Sequence, residues 1–197
     1  MRKTLRKFGR VFCIAILVSA LFPSGLFSST SFTGDMVMKI KDKVTNAKIY
    51  FSGSVYRIDF NEDGQRISFI VDRKAKKTKI LNMAQKVYVE IPNDAPMSLI
   101  RNPFEAHYKM LTWYKVSLQG EEKVGAFICE KKVLTMNGKK KIQTAWIAKN
   151  FDFPIKLINY KRDEIHMVME IKNIKEEVIS PETFSVPGNF KLYKEDR

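Results

Sequence analysis

Side chains able to do covalent chemistry are sparse in this 197-residue chain. It has two histidines, His107 and His166, and neither stands at a metal-ligand spacing from another His or Cys. His107 falls on a stretch of helical spacing, and His166 lies beside Met167 on the outward face of a strand. Structural or solvated roles suit both. Paired carboxylates occur at Glu121–Glu122, Asp163–Glu164 and Glu176–Glu177, each beside a turn, where acids are ordinarily solvated rather than arranged as general acid and base. No G-x-S-x-G elbow, P-loop or G-x-G-x-x-G run is present. Cys13 follows Arg10-Val11-Phe12 inside an apolar run, the wrong setting for a lipid-modified cysteine, and Cys129 beside Phe127 and Ile128 reads as a buried thiol. The pattern predicts a non-enzymatic protein with no metal and no cofactor.

What the residue types do offer is a surface for an apolar guest. Met36 and Met38 form a Met-x-Met pair, repeated late in the chain by Met167 and Met169. Side chains alternate along a strand, so each pair projects to one face. Methionine is unbranched and polarizable, which suits surfaces that accept varied apolar ligands. Together with Phe51, Phe60, Phe69, Phe104, Tyr108 and Trp113, these residues line either an ordinary core or a cavity for acyl chains. Both readings stand at this point.

The elements that must position them have a period of two. Alternating runs begin at Phe32 and continue through Thr45–Phe51, Tyr56–Phe60, Ile67–Val71, Ile80–Met83 and Val87–Ile91, a meander of about six strands. Pro92, Pro96 and Pro103 mark a change, and Phe104, Tyr108 and Leu111 follow at helical spacing with Trp113 beside them. One short helix, or two broken at Pro103, fits this stretch. Strands resume over 114–119, 127–136 and 141–148, with Asn137-Gly138 as the strongest hairpin signal. Two more cover 151–160 and 164–174. The predicted fold is mainly β with a small α component: a strongly curved antiparallel sheet of about ten strands, forming a half-open barrel covered by the short helical segment.

The N-terminus carries its own signal. Residues 1–10 hold five bases and no acid, Val11 to Phe22 is almost wholly apolar, and small residues follow. This is the order of a secretory signal peptide with cleavage near Ser28 to Thr30. The expected organisation is a signal peptide over 1–29 and a single domain over 30–197, working in the periplasm. The full chain carries a formal charge of +14; without the five leading bases, 30 bases stand against 21 acids, a charge near +9. Such an exported protein meets an anionic membrane surface far sooner than nucleic acid.

The second half also resembles a known family. Gly120-Glu121-Glu122-Lys123-Val124-Gly125-Ala126-Phe127-Ile128-Cys129, a basic strand and Asn137-Gly138 are similar to exported bacterial proteins of the domain of unknown function 4412. The likeness continues through Thr144-Ala145-Trp146-Ile147-Ala148, then Pro154-Ile155-Lys156, and closes with Pro181, Phe184, Val186-Pro187-Gly188 and Phe190. It is weaker over residues 32–120. Such proteins are similar to the LolA-like periplasmic lipoprotein-carrier superfamily, whose half-open barrel is closed by helices. The resemblance implies lipid or lipoprotein acyl chains as the guest, or an envelope protein as the partner of a sensor or adaptor. It further implies that Arg57, within Val55-Tyr56-Arg57-Ile58-Asp59-Phe60, is a contact holding the lid. The chain departs from the carriers in its lower helical content and in the Pro-rich cover at 92–103.

Overall fold

The computed structural model describes residues 31–193 apart from residue 63, so the expected signal peptide lies outside the described residues. The first meander runs β1 (Ser31–Ile40), β2 (Lys43–Ser52), β3 (Val55–Glu62), β4 (Gln65–Asp72), β5 (Lys77–Asn82) and β6 (Val87–Pro92). Two short helices follow, α1 (Pro96–Arg101) and α2 (Pro103–Trp113). A second meander then runs β7 (Lys115–Val124), β8 (Phe127–Met136), β9 (Lys140–Ala148), β10 (Phe153–Lys161) and β11 (Glu164–Glu176). A 3-10 turn (Pro181–Phe184) and a two-residue β12 (Lys191–Leu192) end the described chain.

The two meanders make one sheet because β1 pairs with β11, setting Met36 opposite Ile171 and Met38 opposite Met169. The order is β12-β6-β5-β4-β3-β2-β1-β11-β10-β9-β8-β7, twelve strands among the described residues rather than about ten. Every pairing is antiparallel except that of β12 with β6. The curved sheet is not closed: β12 and β7 are its two ends, so the half-open barrel expected from the strand count is an open sheet. The tight hairpin lies where its dipeptide predicts it, with Asn137 and Gly138 both at positive φ (52° and 70°) and the Lys139 N–H closing on the Met136 carbonyl at 3.1 Å.

A sheet this wide exposes a large apolar inner face, and α2 covers it. Phe104 on its first turn is fully buried, 4.7 Å from the Phe153 ring and 5.6 Å from Tyr56 between centroids. Phe32, Phe51 and Phe151 continue the cluster, with Phe51 4.6 Å from Phe153. Burying each such side chain contributes about 1.5–3 kcal/mol, so the aromatic cluster is the main apolar anchor of the helix. The second anchor is polar. His107 Nδ1 lies 2.5 Å from Gln143 Oε1, and Gln143 Nε2 donates to Asn159 Oδ1 at 2.7 Å, which ties α2 to β9 and β10.

The outer face has its own cover, which the strand pattern does not foretell. After β11 the chain crosses the back of the first meander: Ser31 Oγ donates to the Glu177 carbonyl at 2.8 Å, and Arg57 Nη1 donates to the Thr183 carbonyl at 3.2 Å. The crossing ends on β6, where the Lys191 and Tyr193 N–H groups reach the Lys86 and Tyr88 carbonyls. Under this strap β4 is buried on both faces, Ser68 and Ile70 as well as Phe69 and Val71.

This packing can be tested at two points. At the irregularity between Thr33 and Asp35, a Cβ on Gly34 would stand 2.6 Å from Ile171 Cγ2 and 3.3 Å from the Lys172 carbonyl. Gly34→Ala should therefore cost about 1–3 kcal/mol, read by urea unfolding; an unchanged midpoint would show that β11 yields freely. Burial lowers His107 below its usual 6.5, partly opposed by the hydrogen bond to Gln143. The folded state resists a proton that the unfolded chain accepts. Stability present above pH 6.5 is lost as pH falls from there toward the lowered value, by up to about 1.4 kcal/mol per pH unit. His107→Asn, which keeps an N–H toward Gln143, should flatten that acid limb; an identical limb in the variant would place its origin elsewhere.

Candidate functional site

Beneath α2 the inner face is filled by Phe104, Tyr56, Phe153 and their neighbours, whereas beside α1 it is open. There a cavity of about 230 Å³ is lined by Met38, Ile40, Phe60, Ile67 and Phe69, with Lys43, Thr45, Ile100 and Arg101 at its margin. It lies where the ends of β1 to β4 pass under the last turn of α1. Its volume falls just short of the roughly 300–1,000 Å³ usual for a small-molecule pocket. Its walls are aliphatic and aromatic, and its charged margin is basic. A guest with an apolar tail and an anionic head matches that arrangement.

The roof is weakly held. α1 is six residues long, and its Ile100 and Met97 are 82% and 55% exposed. Its buried residue is Ser98, whose hydroxyl lies 3.4 Å from Thr78 Oγ1, which in turn donates to Asn93 Oδ1 at 2.7 Å. Few apolar contacts and an exposed outer surface are the features of segments that open at low cost.

Between α1 and α2 stands Asn102. Pro103 disfavours helical backbone in the residue before it, and Asn102 is extended at φ −116° and ψ 103°. One helix is thereby split into two. The buried Asn102 side chain serves both neighbours: its Oδ1 caps α2 by accepting from the Phe104 and Glu105 N–H groups, and its Nδ2 donates to the Tyr56 hydroxyl at 2.8 Å. The Tyr56 hydroxyl donates in turn to Glu105 Oε1 at 2.8 Å. Burial raises the Glu105 carboxyl above the usual carboxylate range, a shift that the Tyr56 hydrogen bond and the nearby Arg73 charge oppose. Burial and the Glu105 charge push the Tyr56 phenol well upward, so it remains a donor. The node therefore fixes α2 on the sheet and, through the Asn102 N–H on the Ser98 carbonyl, also holds the last turn of α1.

The residues singled out by sequence divide into three groups. Met38, Phe60 and Phe69 line the cavity. Met36, Phe51, Phe104, Met167 and Met169 are packed in the core, and Tyr108 packs against it with the Arg73 guanidinium 3.6 Å from its ring centre. Trp113 is 62% exposed at the end of α2, where no inward wall exists for it to join. Arg57 is a correction. Tyr56, Ile58 and Phe60 take the inner face of β3, so alternation sends Arg57 to the outer face. There it donates to Asp59 Oδ1 at 2.6 Å, to Ser68 Oγ at 3.2 Å and to the Thr183 carbonyl, clamping the C-terminal strap rather than the helical lid. Sequence reasoning missed Asn102, although Asn before Pro at the head of a helical pattern is a capping signal. Among the described residues no group of three or more His, Cys, Asp or Glu is placed to hold a metal ion. Cys129 is fully buried, and desolvation raises its thiol.

No protein-family model and no curated protein sequence matches the chain. Solved structures do match in shape. An uncharacterized conserved protein from Thermus thermophilus superposes with a TM-score of 0.57 at 13% identity, covering 85% of this chain and 91% of that one. A chain of the Pseudomonas aeruginosa MucA/MucB complex superposes with a TM-score of 0.54 at 15% identity, over 81% of this chain and 56% of that one. The present chain thus spans little more than half of that protein. A LolA superfamily protein from Nitrosomonas europaea reaches a TM-score of 0.42 at 8% identity, over 79% of this chain and 89% of that one, too loose a likeness to carry an argument. At such identities the first two matches establish that this chain shares their fold.

Proposed function

We propose that the chain is a non-enzymatic binding protein of the bacterial cell envelope that takes lipid or lipoprotein acyl chains into the groove beside α1. The observation that carries this reading is the coincidence, at one place, of an apolar cavity, a basic margin and a weakly held roof. Each methylene removed from water contributes about 0.8 kcal/mol, so even a few buried at the cavity mouth give useful affinity. α1 swings about Asn102 to admit a longer chain, while α2 stays docked through Phe104. The basic N-terminal segment followed by an apolar run supports export and so an envelope setting.

A second reading is an envelope adaptor that binds a protein partner through the same fold. Its support is the shape shared with a chain of the MucA/MucB complex, a structure that contains a protein partner by its own description. The two readings differ in what fills the groove.

A fluorescent fatty acid titrated into the purified protein should bind saturably and be displaced by unlabelled palmitate. Thr45→Trp, which fills the margin of the groove from an already half-exposed strand position, should weaken binding about tenfold, or ~1.4 kcal/mol, at an unchanged unfolding midpoint. Absence of saturable binding would sink the acyl-chain reading and leave the adaptor. Tyr56→Phe removes the hydroxyl joining Asn102 to Glu105 and strands two buried polar groups, at a cost of about 1–3 kcal/mol. Ligand exchange by stopped flow should speed up in this variant; an unchanged rate would mean that the node does not govern the roof.

A further inference from the structure

The groove opens toward one end of the sheet, and that end has a distinctive surface. Three hairpin tips stand side by side there, because β2, β1, β11, β10, β9 and β8 are consecutive in the sheet: β1–β2, β10–β11 and β8–β9. Residues 39–44, 136–141 and 160–165 of these tips contain eight bases (Lys39, Lys41, Lys43, Lys139, Lys140, Lys141, Lys161 and Arg162) against three acids (Asp42, Asp163 and Glu164). All of the bases are exposed. Among the described residues, no ion pair engages Lys39, Lys41, Lys139, Lys140, Lys161 or Arg162. By contrast, ion pairs do form away from the tips, including Lys48–Asp35, Lys77–Glu90 and Lys149–Glu121. Apolar side chains are exposed on the same tips: Ile40, Val44, Met136 and Ile165. Ile40 is also a wall of the groove, and Ile100 projects from its roof.

Exposed bases with apolar side chains between them, at the end of a sheet, suit a flat anionic surface with an apolar layer beneath it. A bilayer has both, the headgroup charge for the lysines and the acyl boundary for Ile40, Val44 and Ile165. A soluble protein partner would need acidic complementarity along three separate tips and would derive nothing from a depth gradient. We infer that the rim formed by the β1–β2, β10–β11 and β8–β9 tips docks on an anionic lipid bilayer, with the groove mouth turned toward the headgroups. In giving the groove that orientation, the inference rests on the acyl-chain reading above; the docking itself rests on the rim alone. Contact through the rim places Ile100 and Arg101 of α1 next to the bilayer, so that the roof moves where a lipid can enter.

The test uses the full chain and vesicles of phosphatidylcholine, alone or mixed with phosphatidylglycerol. Hydrogen–deuterium exchange should slow in residues 39–44, 136–141 and 161–165 on the mixed vesicles only, with residues 73–77 and 149–152 at the far end unchanged. In co-sedimentation, Lys39→Glu, Lys41→Glu, Lys161→Glu and Arg162→Glu combined should lower the partition coefficient about tenfold or more, and added salt should do the same to the wild type. Both proteins carry the same N-terminal segment, so the difference between them reads the rim. Equal partitioning of the two, or protection at the far end instead of the tips, would overturn the inference. Equal protection of the tips by soluble dextran sulfate would also overturn it and assign a polyanion site. Palmitate displacement in the quadruple variant should match the wild type, so that failure of docking and failure of the groove are separate results.

Discussion

A sheet of twelve strands has more apolar inner face than two helices of six and eleven residues can cover unless they are placed with care. The placement depends on Asn102. Its amide caps one helix, its N–H closes the other on the Ser98 carbonyl at 2.9 Å, and its side chain meets the sheet through Tyr56. Because Asn102 is fully buried, each of those groups would cost free energy if left unpaired. The chain can therefore enter α2 in one orientation, with Phe104 directed at Phe153 and Tyr56. The aromatic cluster and the docking of His107 on Gln143 both follow from that entry.

The strands and their faces were legible because a half-buried strand has to alternate. Phe32, Met36, Ile49, Phe51, Tyr56, Ile58 and Phe69 are buried where the period of two puts them. The break in the helical region was legible from Pro103, whose ring constrains the residue before it. The seam between β1 and β11 was not. Residues 36 and 171 are distant in the chain, and no local pattern records which strand a β-edge will choose. The strap was equally hidden, since residues 177–193 contain little regular structure and hold on chiefly through single contacts such as Arg57 to Thr183. That contact also explains why sequence reasoning gives Arg57 the wrong partner. Its place in the alternation is plain, but the sequence does not say what lies across the outer face.

For the candidate site, residue type alone could not separate core from cavity. Met36 and Met38 are two positions apart on one strand and share a face, yet Met36 is fully buried whereas Met38 lines the groove. The difference comes from what covers them. Around Met36 the sheet closes on its own side chains, while Met38 lies near the strand end, beneath a helix too short to seal it. Cover is a property of the fold as a whole, and the apolar residues read from the sequence were divided by that property into wall, core and surface.

The same division of cover bears on motion. The first meander is gripped from behind by the strap and from within by α2, so β3 and β4 are held on both faces. Packed cores resist gradual deformation, and movement is left to the pieces they do not include. α1 is the piece that this arrangement leaves out: it is tied by hydroxyl and amide hydrogen bonds at Ser98, Thr78 and Asn93, groups that water can satisfy equally well once the helix lifts. Opening α1 exchanges protein hydrogen bonds for water ones and uncovers an apolar wall whose exposure is the main cost. A ligand that covers that wall removes the cost, which is why a groove under a polar-tethered helix favours apolar guests over empty opening.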